Sequence, residues 1–211
     1  MKVLLINGSP KTNGNTTIAL GLVTEALEEE GIETEHIRVP KDPVQGCRGC
    51  AVCRDSGSGR CAFDGDIVNE ILDKMESADA LVLGSPVYYA APNGQLLSVL
   101  DRVFFAGSVS EVFPGKPGAA VCAARRGGTT ATLDVLQKYF IISGMPIVPS
   151  TYWPMIHGMA PGEALHDTEG VQVMQVIGKN LAWMLKCIEA GKKAGIFYPK
   201  TAEKIRMNFI R

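Results

Sequence analysis

The chain alternates short apolar runs with longer stretches in which apolar residues recur at helical spacing. The short runs are typical of buried strands, and they lie at Lys2–Asn7 and at residues 34–39, 80–84, 119–123 and 146–149. The longer stretches have the period of an amphipathic helix, and they lie at residues 16–30, 66–77, 94–104, 130–143 and 171–191. The pattern therefore predicts five strands that alternate with five helices.

This alternation also predicts the fold class. Because every connection between consecutive strands passes through a helix, the sheet is expected to be parallel and covered on both faces. The nearly continuous apolar character of the strands agrees with burial of both faces. We predict an α/β, flavodoxin-like three-layer sandwich with a five-stranded parallel sheet in the order 2-1-3-4-5, because a longer Rossmann sheet would need a sixth strand.

The pattern further predicts one domain over residues 1–194, with a cysteine-rich loop at residues 44–65 inserted after the second strand. Residues 195–211 are expected to form a C-terminal arm that carries several apolar side chains, namely Phe197, Tyr198, Ile205, Phe209 and Ile210. Apolar side chains on a tail need a surface to cover them. Either the arm packs back on its own domain or it crosses to a second subunit.

The composition of the chain excludes some classes of function. The 211 residues are 46% hydrophobic and 20% charged, with a formal net charge of −1, which argues against a disordered chain and against a nucleic-acid binder. The first residues lack the pattern of a signal peptide, and no apolar run reaches membrane-spanning length, so we predict a cytoplasmic protein that uses no membrane. In that compartment the six cysteines are expected to be thiols or metal ligands rather than disulfides.

The turn after the first strand is rich in glycine and small polar residues, and residues 7–17 read NGSPKTNGNTT. Backbone N–H groups at a helix N-terminus, joined by serine and threonine hydroxyls, suit a phosphate group. The turn lacks both the Gly-Lys-Ser/Thr ending of a triphosphate loop and the Gly-x-Gly-x-x-Gly pattern of a dinucleotide fold, so a monophosphate is favoured. The alternative is an ordinary polar turn in which Asn15 or Thr16 caps the helix.

Three segments together resemble the flavodoxin-like NADPH-dependent FMN reductases, and more closely the iron–sulfur flavoproteins related to them. Gly8-Ser9-Pro10 with Gly14-Asn15-Thr16 is similar to their FMN-phosphate loop, GSPVYY at residues 84–89 to the segment along the isoalloxazine ring, and RGG at residues 126–128 to their third flavin loop. The resemblance covers almost the whole chain and implies FMN as cofactor. The residues it implies for cofactor binding are Ser9, Lys11, Asn13, Asn15, Thr16, Thr17, Pro86, Val87, Tyr88, Tyr89, Arg125, Arg126, Gly127 and Gly128.

Two of these assignments leave alternatives open. Tyr88 and Tyr89 offer flat surfaces for stacking on the flavin, or they form a packed loop corner. Arg125 and Arg126 stand where the family more often has small residues. They either stabilise negative charge near flavin N1 and O2, meet the phosphate of NADPH, or are simply solvated.

Four cysteines are concentrated in the loop after the second strand. Cys47, Cys50 and Cys53 follow one another at spacings of two intervening residues, and Cys61 completes a set of four. This spacing favours a [4Fe–4S] cluster, with zinc or no metal as the alternatives. The set resembles the compact cysteine motif of the iron–sulfur flavoproteins, in which the cluster lies at a subunit interface, although the gap before Cys61 is long for that pattern. The resemblance implies a homo-oligomer, either a dimer or a tetramer.

No catalytic side chain is predicted, because hydride transfer is carried by flavin N5. The histidines His36, His157 and His166 are expected to be structural or exposed. The leading hypothesis is an FMN-dependent NAD(P)H oxidoreductase that reduces a quinone, a nitro- or azo-aromatic, free flavin or a similar acceptor. The alternative is an electron-transfer protein with ferredoxin-like partners, and a third is a flavin-binding sensor without turnover.

Overall fold

The computed structural model describes residues 1–200 together with Ile205, Met207 and Phe209. The strands are β1 (Lys2–Asn7), β2 (Glu33–Arg38), β3 (Ala80–Tyr88), β4 (Ala91–Pro92), β5 (Gly118–Ala124) and β6 (Met155–His157). The helices are α1 (Asn15–Glu29), α2 (Val52–Asp55), α3 (Ile67–Ser77), α4 (Gly94–Gly107), α5 (Thr129–Ile142) and α6 (Thr168–Lys193), and a short 3-10 helix covers Glu163–His166.

The sheet confirms the predicted flavodoxin-like topology. Five strands run in parallel in the order β2-β1-β3-β5-β6, which is the order 2-1-3-4-5 when the parallel strands alone are counted. The additional strand β4 is antiparallel and pairs only with the end of β3. It was not predicted, because a two-residue strand leaves no hydrophobic period in the sequence.

Both faces of the sheet are covered by helices. Side chains alternate along each strand, so that Leu4 and Ile6 of β1 pack under α3, α4 and α5, whereas Val3 and Leu5 pack under α1 and α6. All four side chains are fully buried. A three-layer arrangement results, and it leaves the ends of the strands as the places where loops can form a site.

The fifth parallel strand is not where the sequence analysis put it. Residues 146–149 form only a single bridge, between Ile147 and Gly118, whereas β6 lies at Met155–His157, between the predicted fifth strand and the predicted last helix. Proline has no N–H to donate to a strand ladder, so Pro146 and Pro149 limit that segment to isolated contacts. Instead, β6 pairs with the second half of β5, from Cys122 to Ala124.

The described start of the C-terminal arm packs back on its own chain. The ring of Tyr198 lies over Gly115, where a Cβ atom would approach its Cγ to 2.7 Å. Residues 201–204, 206, 208 and 210–211, including the predicted apolar Ile210, lie outside the described residues. The division into a domain and an arm therefore stays a prediction.

Within the described part of the chain, no helix combines the length and the apolar character needed to cross a membrane.

One helix contact depends on a glycine and allows a direct test of the packing. A Cβ atom at Gly178 of α6 would lie 2.7 Å from the backbone oxygen of Val23 and 2.6 Å from Ala26 Cβ on α1. We expect Gly178→Ala to lower the free energy of unfolding by about 1–3 kcal/mol, because backbone atoms cannot yield to the added methyl group.

The matched control is Gly21→Ala on α1, where an added Cβ atom meets nothing within 4 Å. It is expected to raise stability by up to about 1 kcal/mol, because alanine is the better helix former. Urea unfolding measures both variants, and equal effects of the two substitutions would contradict the close packing of α1 against α6.

Candidate functional site

Three loops meet at the carboxyl edge of the sheet. They follow β1, β3 and β5, which are neighbours. Asn7, the last residue of β1, lies opposite Gly84 of β3, and Pro86 of β3 lies opposite Ala123 of β5. The Gly8 N–H donates to the backbone oxygen of Gly84 at 2.8 Å, which joins the first loop to the second. The parallel order thus brings together the three segments that the sequence analysis assigned to one cofactor.

The loop after β1, residues 8–17, presents backbone N–H groups at the start of α1. Among the described residues, the N–H groups of residues 13–16 have no hydrogen-bond acceptor. The Ser9 and Thr16 side chains are buried beside them. Gly14 allows the loop to fold tightly, because a Cβ atom there would approach Lys11 Cβ to 3.2 Å and Ser9 Oγ to 3.3 Å. Unpaired N–H groups at a helix N-terminus favour an anion.

Arg38, at the end of β2, supports this loop and was missed in the sequence analysis. Its Nη1 donates to the carbonyl oxygens of Ser9 at 3.0 Å and Lys11 at 2.9 Å, and its Nη2 donates to that of Thr12 at 3.3 Å. Arg38 therefore binds the carbonyl side of the loop, and the N–H groups of the loop remain available to an anion. The sequence signal was an arginine ending a strand that neighbours β1 in the predicted order.

Asn93 ties the first two loops together and was also missed. Its Nδ2 donates to the Gly8 carbonyl at 2.7 Å, and its backbone N–H donates to Ser85 Oγ at 3.0 Å. Its Oδ1 accepts from the Gln95 N–H at 2.8 Å, which caps α4. A cavity of about 260 Å³ opens beside it, between the loop after β1, the segment after β2 and Tyr88.

Two predicted binding side chains have partners within the protein. The Asn15 side chain donates to the carbonyl of Ala160 at 3.1 Å and accepts from the N–H of Ala164 at 3.3 Å. The Thr17 hydroxyl accepts from Asn7 Nδ2 at 3.1 Å and from Arg38 at 3.2 Å. These side chains shape the loop, whereas Lys11 and Asn13 are exposed.

The second loop is a tight hairpin between β3 and β4. Tyr89 and Ala90 occupy its two turn positions with φ of 51° and 57°, the left-handed values of a type I′ turn. Residues other than glycine are strained there by about 1–2 kcal/mol each. Tyr88 is partly exposed and Tyr89 is fully exposed, so the alternative of a packed loop corner is wrong for Tyr89.

The third loop contacts that hairpin through Gly128. This residue has φ of 93°, and a Cβ atom on it would lie 2.8 Å from Ala90 Cα and 3.0 Å from Val87 Cγ1. Arg125 and Arg126 are exposed, and neither forms a hydrogen bond or ion pair within the described residues. Glycine therefore permits the approach of the two loops, and the arginines border the same edge.

His157 ends β6 at this edge, opposite Ala124. Its ring Nδ1 lies 3.2 Å from Asp167 Oδ2, which also accepts from the His157 N–H at 2.8 Å. The other oxygen of Asp167 accepts from the Gly170 N–H at 2.9 Å and caps α6. Burial acts to raise the pKa of Asp167, but these hydrogen bonds bring it below its usual range.

The four clustered cysteines line one small cavity. It has a volume of about 20 Å³, room for about one water molecule, and Cys47, Cys50, Cys53 and Cys61 all border it. Cys53 is buried on α2, whereas Cys47 and Cys50 are exposed. Burial raises the pKa of the Cys53 thiol, and the neighbouring Cys61 and Cys50 add to the rise. All four predicted ligands therefore border the same cavity.

Cys61 is fixed despite the long gap before it. The buried Asn69 side chain accepts from the Cys61 N–H at 2.9 Å and donates to its carbonyl at 3.0 Å.

Across residues 1–200, no three His, Cys, Asp or Glu side chains are placed to hold one metal ion, which gives no support to zinc or to a preformed cluster. A four-iron cluster binds each cysteine through a different iron, so its ligands are spaced more widely than those of a single ion.

Comparisons with known proteins show the family of the chain. The model of the family described as NADPH-dependent FMN reductase matches residues 1–160. An iron–sulfur flavoprotein of Methanocaldococcus jannaschii is 36% identical over 197 residues, covering 90% of this chain and 100% of the relative. An iron–sulfur flavoprotein of Methanosarcina thermophila is 30% identical over 194 residues, covering 91% and 99%.

Solved structures show the same fold. RosB, crystallised with 8-demethyl-8-formylriboflavin-5'-phosphate, aligns with a TM-score of 0.71 at 17% identity over 100% of this chain and 92% of its own. A flavodoxin from the domain Archaea aligns with a TM-score of 0.58 at 17% identity, covering 88% of this chain and 99% of its own. At these identities the likeness concerns the fold alone.

The Asp167 contacts predict a pH dependence of stability. Because the folded pKa is depressed, the carboxylate contributes stability above its unfolded pKa of about 3.9, and this is lost as pH falls through the folded pKa. We expect Asp167→Asn to flatten the fall in unfolding free energy below about pH 4. Urea unfolding at a series of pH values measures it, and identical slopes for both proteins would refute the assignment.

Proposed function

Because the chain belongs to the NADPH-dependent FMN reductase family, we propose that it is an FMN-dependent NAD(P)H oxidoreductase. Its acceptor would be a quinone, a nitro- or azo-aromatic, free flavin or a similar molecule. The observation that carries the proposal is the meeting of three strand-end loops at one edge, the first with unpaired N–H groups at the start of a helix. When bound, FMN supplies the hydride and electron transfer.

The phosphate end is assigned to the loop after β1. The N–H groups of residues 13–16 and the Ser9 hydroxyl would hold the phosphate, with Lys11 adding positive charge at the rim. Arg38 acts through the loop, because its hydrogen bonds go to the loop carbonyls. In this proposal the N–H groups and Ser9 contact the phosphate directly, whereas Arg38 only supports the loop.

The ring is assigned to the second and third loops. The segment from Pro86 to Tyr89 provides backbone groups and an aromatic surface, and the glycines at 127 and 128 let the third loop close beside it. Arg125 and Arg126 would lie near the pyrimidine side, where a cation stabilises the negative charge of reduced flavin. They are also available to the phosphate of NADPH.

A second function is favoured by the cysteines. We infer a [4Fe–4S] cluster on Cys47, Cys50, Cys53 and Cys61, which would make the protein an electron carrier for ferredoxin-like partners. Support comes from their common cavity and from relatives named as iron–sulfur flavoproteins. Cys53 is buried and the Cys61 backbone is held by Asn69, whereas Cys47 and Cys50 are exposed. A homo-oligomer stays part of this proposal.

The first test compares FMN with riboflavin, which lacks the phosphate. Arg38→Gln is expected to weaken FMN binding about tenfold while changing riboflavin binding little, because lost loop support acts on the phosphate end and a charged hydrogen bond contributes about 1.5–3 kcal/mol. Quenching of flavin fluorescence measures both affinities. Lys186→Gln, whose exposed side chain pairs with Glu30, is the control. Failure of the native protein to bind FMN would contradict the proposed function.

The second test separates the reductase from the electron carrier. A reductase should oxidise NADPH steadily with added quinone. The double variant Cys47→Ser with Cys50→Ser should retain this rate within about twofold, because FMN, when bound, would accept the hydride without help from the cysteines. A carrier should show no such turnover, rapid reduction by reduced ferredoxin, and loss of that reduction in the double variant. The loss of NADPH absorbance follows the first assay.

A further inference from the structure

A fully buried arginine lies beside the cysteine cavity, on α4. The Arg102 side chain is 1% exposed, and its Nε donates to Cys61 Sγ at 3.2 Å. Its Nη1 donates to the Gln45 carbonyl at 3.2 Å, and its Nη2 donates to the Phe63 carbonyl at 2.7 Å. A buried guanidinium is costly unless its donors are satisfied, so this one has a specific place in the fold.

These contacts reach both ends of the cysteine loop. Gln45 precedes the first cysteine, whereas Cys61 and Phe63 lie at its far end. Arg102 therefore holds the loop against α4. Gln95, near the start of the same helix, holds the segment before the loop, because its Nε2 donates to the Asp42 carbonyl at 2.8 Å. Lysine could not reproduce these contacts, because its three donors lie on one nitrogen, whereas the guanidinium donates from three nitrogens in a fixed plane.

The Arg102 guanidinium shares its ion-pair partner with the N-terminus of a helix. Its ion-pair partner is Asp66, whose other oxygen accepts from the Val68 N–H at 3.0 Å and caps α3. The carboxylate thus serves a helix N-terminus and the guanidinium together. Positive charge from Arg102 remains directed at the sulfur of Cys61.

We propose that Arg102 is a positioning residue that holds Cys61 in the ligand set and raises the reduction potential of an iron–sulfur cluster bound there. The inference rests on the cluster in the proposed function. Reduction adds negative charge to the cluster and its sulfur ligands, and an N–H···S hydrogen bond from a cation stabilises that charge. No other charged side chain in the described residues donates to a cysteine sulfur.

The test uses the full chain, reconstituted with iron and sulfide under anaerobic conditions. Arg102→Lys and Arg102→Gln remove the Nε–H donor, and Gln also removes the charge. We expect the reduced-to-oxidised ratio of the cluster at a fixed solution potential to fall about tenfold in Arg102→Gln, which is about 59 mV for one electron. A mediated dithionite titration followed by visible absorbance measures the ratio.

Two further variants test whether the reduced-to-oxidised ratio shifts in the direction expected from charge. Arg60→Gln is the matched control, because it removes a positive charge beside Cys61 from an exposed side chain paired with Asp73, and it should change the ratio less than threefold. Asp66→Asn keeps a cap for α3 but leaves Arg102 unneutralised, so it should raise the ratio. A purely structural role predicts no such opposite shifts.

The outcomes separate the two proposals. If the native protein takes up iron and sulfide but the Arg102 variants keep its ratio, the inference is overturned and the cluster stands. If the Arg102 variants do not fold, an unchanged ratio in Asp66→Asn overturns it equally. If the native protein binds FMN but no iron, both the cluster and the role of Arg102 fail, while the reductase function is untouched.

Discussion

The close approach of Gly8 to Gly84 governs the candidate site. Gly8 follows β1, Gly84 lies in the middle of the neighbouring β3, and the Gly8 N–H donates across to the Gly84 carbonyl at 2.8 Å. A Cβ atom at Gly8 would come 2.6 Å from Leu96 Cδ2, and one at Gly84 would come 2.7 Å from Leu20 Cδ1. Two glycines therefore let helices from opposite faces press on the sheet edge where the binding loops begin.

Helix α4 supports both candidate centres. Its cap Asn93 holds the loop after β1, and Arg102 holds the cysteine loop. The two residues are about 14 Å apart along the axis, at about 1.5 Å rise per residue. Because one rigid helix fixes both, a flavin at the sheet edge and a cluster in the cysteine loop would keep a constant separation, which suits electron transfer between them.

Side chains from other elements hold the loops through their backbone carbonyl groups. Arg38, Asn93 and Arg102 each donate to carbonyl groups of segments far away in sequence. Such contacts satisfy buried polar groups without adding side chains to the cavity. They leave N–H groups at the first loop and sulfur atoms at the cysteine loop as the chemically available groups.

The sequence by itself determined the fold class, most element positions and the three strand-end segments. Hydrophobic period and glycine-rich turns are local properties, and a parallel order of strands then places successive loops on one edge. It misplaced the fifth parallel strand, because the apolar run at residues 146–149 contains prolines that a hydrophobic pattern does not penalise.

Only the tertiary structure decided which polar side chains are free and which are engaged. Asn15 and Thr17 resemble phosphate ligands in the sequence, yet their side chains bind within the protein, whereas Arg38, Asn93 and Arg102 carry no motif and support the loops. The physical reason is that hydrogen-bond partners distant in the chain become neighbours only on folding. Local pattern records burial and turn chemistry, but it contains no record of those partners.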